Sequence, residues 1–191
     1  MNPETVAALA SLGTFVVISV SAVAALIQLR HIRASNQLSG LIKYSELWEA
    51  QPMQSAIAFV QQQLPEKLQD ASYRNQLMRA TVSRSEHPEL AVCDWVEQIG
   101  SYVKYGLLSE EQFLDLTAGF VDAAWDQLEE VVALRRTHGR PAMYENFEYL
   151  AAQSKAWLAR HSRGNYPPRV RRLLTPERAE EILDESAPQR T

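Results

Sequence analysis

Hydrophobic positions along the chain fall into three regimes. From Thr5 to Leu29 the sequence TVAALASLGTFVVISVSAVAALIQL carries no charged side chain, and its large apolar residues lie on every side of a helix. From Leu38 to about Gly164 apolar residues recur at three- and four-residue steps, the spacing of helices with one buried face. Beyond Gly164 that period is lost. No stretch alternates convincingly with period two, so the pattern predicts an all-α chain. Its N-terminal transmembrane helix continues into an antiparallel bundle of about five helices.

The first regime sets the main question: membrane anchor, cleaved signal peptide, or central helix of a soluble bundle. At about 1.5 Å per residue, the 25 uncharged residues make a helix of roughly 37 Å, against a hydrocarbon core of about 30 Å. A helix apolar on all sides needs lipid or a full jacket of other helices, and the remaining domain is too small to supply one while burying its own helices. The triplet Ala22-Val23-Ala24 resembles a signal-cleavage site, but the opening MNPE has no Lys or Arg and contains Glu4. The same opening suits a helix start, with Asn2 as N-cap, Pro3 at the first helical position and Glu4 at the positive end of the dipole. A retained anchor is the reading adopted. Arg30 and Arg33 follow the span and no basic side chain precedes it, which places the N-terminus outside and the following domain on the cytoplasmic face of the inner membrane. Ala10, Gly13, Thr14, Ser21 and Ala25 either dilute the span or let another helix approach it.

Residues 1–29 are thus read as the anchor and 30–51 as a juxtamembrane helix. In the latter, Leu38, Leu41, Ile42, Leu47 and Trp48 share one side and are expected to join the bundle, with Gly40 as a possible break. The bundle domain is assigned to 52–164. Pro52 suits a helix start before Met53, Ile57, Val60 and Leu64, and Pro65 is expected to end that run. A weaker helix is expected over Ala71–Thr81 after Asp70. The next starts at Pro88, buries Val92, Val96, Ile99 and Val103, and stops at Gly106 as C′. Ser109 and Gln112 form a capping box for a helix carrying Phe113, Leu116, Phe120, Val121, Trp125, Leu128 and Val132, then Arg135 and Arg136, with Gly139 as stop. A last helix is expected from Pro141, with Met143, Tyr144, Phe147, Leu150, Trp157 and Leu158. Residues 165–191 read as a Pro- and Arg-containing tail, with one short helix opening at Thr175-Pro176-Glu177. Arg169, Arg171 and Arg172 would contact acidic lipid, or belong to a solvated linker.

Composition narrows the function classes. With 46% hydrophobic and 22% charged residues, the chain has ordinary globular content for the part outside the anchor. A net charge of −4 argues against a general nucleic-acid binder. The single cysteine, Cys93, forms no internal disulfide and lies in the apolar LAVCDWV, where it reads as a core residue.

Reaction chemistry has few candidates. His31, His87, His138 and His161 show no H-E-x-x-H spacing, and each reads as structural. Asp94 with Glu97, and Glu145 with Glu148, are pairs three residues apart on helices. Two such pairs on facing helices resemble carboxylate metal bundles, except that neither helix has a histidine at the required step. Glu145 and Glu148 also suit a helix N-terminus. No Gly-rich phosphate loop or nucleophile elbow occurs. No catalytic, cofactor-binding or metal-ligating residue is therefore assigned, and no cofactor is expected.

LPEK (Leu64–Lys67), HPEL (His87–Leu90), YGLLSEE (Tyr105–Glu111) and YENFEYLA (Tyr144–Ala151) occur in an order that matters. Together with the anchor and LRHIRASNQLS after it, that order resembles a bacterial family of short single-pass membrane proteins classed as a domain of unknown function, numbered four-seven-six-zero. The resemblance spans most of residues 5–160 and implies an anchor and a helical domain, with no activity and no catalytic residues.

The expected function is a membrane-tethered helical interaction module, not an enzyme, whose partners are the bilayer and either another protein or a second copy. The alternatives are a membrane-bound carboxylate- or metal-dependent enzyme using Glu97, Glu145 or Glu148, and an accessory subunit of a larger membrane complex.

Overall fold

The computed structural model describes residues 2–174 and, beyond them, 178, 179 and 182; in the first helix the side chains of residues 5, 6, 8–10, 33, 34, 37 and 41 fall outside that description. Helix and connecting turns make up the described residues, with no strand among them. The short helix expected to open at Thr175 begins outside the described residues.

The first helix, α1 (Pro3–Glu49), is 47 residues long and passes through Gly40 unbroken. At about 1.5 Å per residue it extends roughly 70 Å. Asn2 occupies its N-cap position, and Pro3 and Glu4 lie in its first turn, as the sequence implies. It stops where Ala50 turns extended (φ −61°, ψ 133°) ahead of Pro52, which suits the restriction that proline and its neighbour impose. The Trp48 carbonyl at this end accepts the Gln54 side-chain amide at 2.7 Å.

How α1 joins the domain differs from the expected stripe. Leu38, Ile42 and Leu47 are exposed. Trp48 does join the domain as expected, and Gly40 and Tyr44 face it with Trp48, one per turn on a single i,i+4 ridge. A Cβ on Gly40 would lie 2.9 Å from Leu108 Cδ2, so the absent side chain is what lets the helix close in. Tyr44 stacks on Trp95 at 4.4 Å and meets Phe113 edge-on at 5.1 Å, while Trp48 meets Phe120 edge-on at 4.3 Å. Buried aromatic area with edge-to-face geometry outweighs the smaller aliphatic stripe on the other side.

After the turn come α2 (Gln51–Gln62), α3 (Leu64–Lys67) and α4 (Ala71–Leu77). Pro65 does not end α2; it sits in the first turn of α3, where its missing N–H has no helical partner to lose. The Asp70 carboxylate caps α4 by accepting the Ser72 N–H at 2.8 Å. That helix ends at Leu77, short of Thr81, and the carbonyls from Leu77 to Ala80 turn to arginines from elsewhere in the chain.

The main bundle is α5 (Glu89–Lys104), α6 (Glu110–Arg135) and α7 (Glu145–Arg160), with α7 packed chiefly on α5 and α6, and α2 on α5. Gly106 (φ +68°) closes α5: the Leu107 N–H bonds back to the Tyr102 carbonyl at 2.9 Å, a six-to-one closure needing a left-handed residue between. Ser109 caps α6 by accepting the Gln112 N–H at 3.4 Å. Phe113, Val121, Leu128, Val132, Phe147 and Leu150 bury as the spacing implies, and Cys93 is fully buried among them. Leu116 is the exception on α6 and stays exposed. Helix α7 begins at Glu145 rather than Pro141, because Tyr144 adopts a left-handed conformation (φ 60°, ψ 33°) just before it.

Candidate functional site

The carboxylates singled out from the sequence meet at the junction of α5 with the start of α7. Gly100 makes the junction possible: a Cβ there would lie 2.2 Å from the Asn146 carbonyl oxygen. Glu97, one turn earlier, then reaches the unsatisfied donors of the α7 N-terminus. Its Oε2 accepts the Phe147 N–H at 2.8 Å and its Oε1 accepts the Asn146 side-chain amide at 2.8 Å. A carboxylate on the N–H groups of a helix start is a charge-assisted cap, here supplied by another helix.

The other three acids are engaged in the same way. Asp94 accepts the Tyr144 hydroxyl at 2.9 Å and pairs with Arg84 at 2.8 Å. Those bonds anchor the side chain of a residue whose left-handed backbone is itself unfavourable by about 1–2 kcal/mol. Glu145 meets Lys104 at 3.4 Å, and Glu148 pairs with Arg136 at 2.7 Å. Arg136 also donates to the Met143 and Tyr144 carbonyls at 2.8 and 3.3 Å. The structure thus brings Asp94, Glu97, Glu145 and Glu148 to one helix crossing, each held by its own cation or amide donors. Among the described residues no three His, Cys, Asp or Glu side chains converge as a ligand set.

A buried polar cluster lies beside this junction. His87 and Glu89, either side of Pro88, are fully buried. Glu89 Oε1 receives the Tyr73 hydroxyl at 2.8 Å and lies 2.9 Å from His87 Nδ1, while His87 Nε2 lies 3.0 Å from Gln76 Oε1. Glu89 Oε2 is buried with no hydrogen-bond partner among the described residues. Burial, then the hydrogen bond and charge of Glu89, push the Tyr73 phenol up. The cluster fastens the segment before α5 onto α4. HPEL carries a local hint of it, a histidine and an acid flanking a helix-starting proline, but no spacing points to Tyr73 and Gln76.

Two arginines close the other end of α4. Arg135, buried on α6, donates to the Leu77 and Arg79 carbonyls at 2.7 Å each. Arg140 donates to Met78, Arg79 and Ala80 carbonyls at 3.0, 3.1 and 3.4 Å. Arg135 therefore serves another helix's last carbonyls rather than its own helix end, a role invisible to local spacing across 58 residues.

At the opposite side, α1 supplies the candidate membrane element. Residues Ser11–Ile32 form 22 residues of mean hydropathy 2.2, none of them buried against the rest of the chain. The reading as the buried helix of a soluble bundle is thereby set aside. By length and composition this helix is able to cross a membrane, a property that a signal sequence shares. Where α1 meets α6, an apolar cleft of about 290 Å³ opens, lined by Tyr44, Trp48, Phe113, Leu116, Thr117 and Phe120 among others. The Tyr44 hydroxyl is buried there with no partner among the described residues, and burial pushes its phenol up.

Comparison with known proteins fits this architecture. Neither the curated proteins nor the solved structures contain a significant match to the chain. The family model described as a domain of unknown function (DUF4760) matches residues 15–155, from within the apolar segment to the later turns of α7. That span takes in the α1–α6 packing ridge, the Glu97 cap and the His87–Glu89 cluster, so the chain belongs to the DUF4760 family.

Proposed function

We propose that this chain is a membrane-tethered helical interaction module, held by α1 with its C-terminal domain on the cytoplasmic face of the inner membrane. The observation that carries the reading is the 22-residue apolar segment Ser11–Ile32, none of it buried against the described residues. So much uncovered apolar surface needs lipid around it. Arg30 and His31 at its C-terminal end are exposed, which suits the cytoplasmic side. The helix then enters the domain without a break, so the domain follows the anchor as one body.

The surface offered for interaction is the side of α1 that packing leaves open. Leu38, Ile42 and Leu47 are exposed there, and Leu116 of α6 stands beside the apolar cleft. A second copy, or a helix of a larger membrane complex, is the kind of partner such a face accepts. Arg169, Arg171 and Arg172 are exposed on the tail, and against acidic lipid each would contribute about 1 kcal/mol. Arg172 also lies over the Tyr166 ring at 4.8 Å. The reading includes no catalytic step, since Glu97, Glu145 and Glu148 serve contacts between helices.

Alkaline extraction of native membranes, with a reporter fused after residue 191, tests the anchor and its orientation. The full-length chain is expected in the pellet with the reporter cytoplasmic; release into the supernatant overturns the tether. Crosslinking in the same membranes through a cysteine at Leu38→Cys or Ile42→Cys is expected to yield a defined adduct. Recovery of monomer alone overturns the interaction surface.

A further inference from the structure

The end of α4 and the loop between α6 and α7 border an open pocket of about 590 Å³, lined by Asn75, Met78, Arg79, Ala80, His138 and Arg140. Among the described residues no acidic side chain lines it, in a chain whose formal charge is −4. Behind its wall lies Arg135, buried, with no hydrogen-bond partner for its Nε among the described residues. Two guanidinium groups, Arg135 and Arg140, therefore face the carbonyl end of one short helix, whose dipole offers only about half a negative charge. The excess is felt locally: burial first, and then the neighbouring Arg140, hold the Arg135 guanidinium below its ordinary range.

Donors remain available at this place. A guanidinium has five N–H groups. Arg140 directs its Nε, both Nη1 and one Nη2 hydrogen to the carbonyls of Thr137, Arg79, Ala80 and Met78, leaving one Nη2 hydrogen. The exposed Arg79 side chain enters no ion pair or hydrogen bond among those described. His138 is held left-handed at φ 57°, its Nδ1 beside Thr137 Oγ1 at 3.0 Å, so Nε2 is left for a ligand. Met78 and Ala80 give the pocket an apolar side, and its volume far exceeds that of a lone oxyanion. It falls in the ordinary range for small-molecule sites, about 300–1,000 Å³.

Its position selects the source of the anion. Gly40 lies against Leu108, Tyr44 against Phe113 and Trp48 against Phe120, so where they meet α1 and α6 advance in the same direction. Trp48 is 16 residues past Ile32 and Arg135 is 15 past Phe120, which at about 1.5 Å per residue puts the pocket on the order of 45 Å beyond the apolar segment. Screening decays over about 10 Å at moderate salt, so bilayer head groups are out of range.

We propose that this pocket binds a soluble phosphate-bearing small molecule, its phosphate held by Arg79, Arg140 and His138 and its organic part against Met78 and Ala80. Titration of pyrophosphate into the full-length chain in nanodiscs of neutral lipid, at low and constant ionic strength, tests this. Saturable binding is expected, weakened about tenfold or more by combined Arg79→Gln and His138→Gln, with the ligand-free unfolding temperature unchanged. Neither exposed side chain supports the α4 carbonyls, so that variant folds. Absence of binding at millimolar pyrophosphate, or binding indifferent to the double substitution, overturns the site. In nanodiscs containing anionic lipid the affinity is expected to be the same. Loss of pyrophosphate binding there overturns the soluble source and assigns the pocket to lipid head groups.

Discussion

Glu97 of α5 caps α7 by taking the Phe147 N–H at 2.8 Å, so a side chain in the middle of one helix supplies the first-turn partner of another. The contact joins elements 50 residues apart and gives the acid a fixed role at the helix crossing. Replacing Glu97 by Ala removes the acceptor for two donors and is expected to cost about 2 kcal/mol in denaturant unfolding of the detergent-solubilised chain. Glu97→Gln keeps one acceptor oxygen and should lose about half as much. Equal losses for both would show that the cap is not what the residue contributes.

Two glycines on the bundle give opposite expectations. At Gly100 an added methyl meets the Asn146 backbone oxygen at 2.2 Å, which only movement of α7 relieves. Gly100→Ala should destabilise by about 2–3 kcal/mol. Gly119, in α6, has nothing within 4 Å of an added Cβ. Gly119→Ala should stabilise by about 0.5–1 kcal/mol, through helix propensity alone. Thermal unfolding of the pair under one set of conditions checks both signs.

Tyr44 brings a hydroxyl into the α1–domain contact and leaves it unpartnered. Tyr44→Phe keeps the ring contacts with Trp95 and Phe113 and removes the orphaned group. Stability is expected to rise by about 1 kcal/mol. Tyr44→Ala should instead loosen α1 from the domain, measurable as faster amide exchange around Leu108 and Phe113.

Alkaline pH should unfold the domain through its buried tyrosines. The phenols of Tyr44, Tyr73 and Tyr144 lie above the ordinary value of 10.0, chiefly from burial. Glu89 adds to the shift at Tyr73, and Cys93 and Asp94 add to it at Tyr144. Above pH 10 the unfolded chain releases these protons while the folded chain retains them. Stability is therefore fully present below pH 10 and lost above it, by up to about 1.4 kcal/mol per pH unit for each tyrosine. Tyrosinate absorbance should rise together with loss of helix, and Tyr44→Phe should flatten the slope by one tyrosine's share. Tyrosinate appearing well before unfolding would contradict the burial.

Arg135→Met tests the arginine end of α4. The buried Leu77 carbonyl loses its 2.7 Å donor, while the part-buried Arg79 carbonyl keeps only its bond from Arg140, which should cost about 2–3 kcal/mol. Protection of amides over Ala71–Leu77 should fall more than over α7.

Periodicity and punctuation carried much of this architecture. The uncharged run after Thr5, the caps at Asp70 and Ser109, the stop at Gly106 and the core positions from Phe113 to Leu150 depend on neighbours within a few residues. One chain therefore displays them directly. Boundaries failed where distant groups intervened: α4 ends early where Arg135 and Arg140 take the carbonyls from Leu77 to Ala80, and α7 starts late behind Tyr144, whose hydroxyl bonds to Asp94. The candidate carboxylates were legible as pairs. Their partners were not, because no local spacing links Glu97 to Phe147 or Glu148 to Arg136.

The sequence by itself determined that the chain is helical, that one helix is apolar on every side, and roughly where the others begin and stop. Only the tertiary structure decided which face of α1 is buried, what the acids hold, and that Arg79, His138 and Arg140 share a pocket. The physical reason is range. Helix formation and capping act over three or four residues, whereas the choice of Gly40, Tyr44 and Trp48 over Leu38 and Ile42 depends on the fit against Leu108, Phe113 and Phe120, more than sixty residues away along the chain.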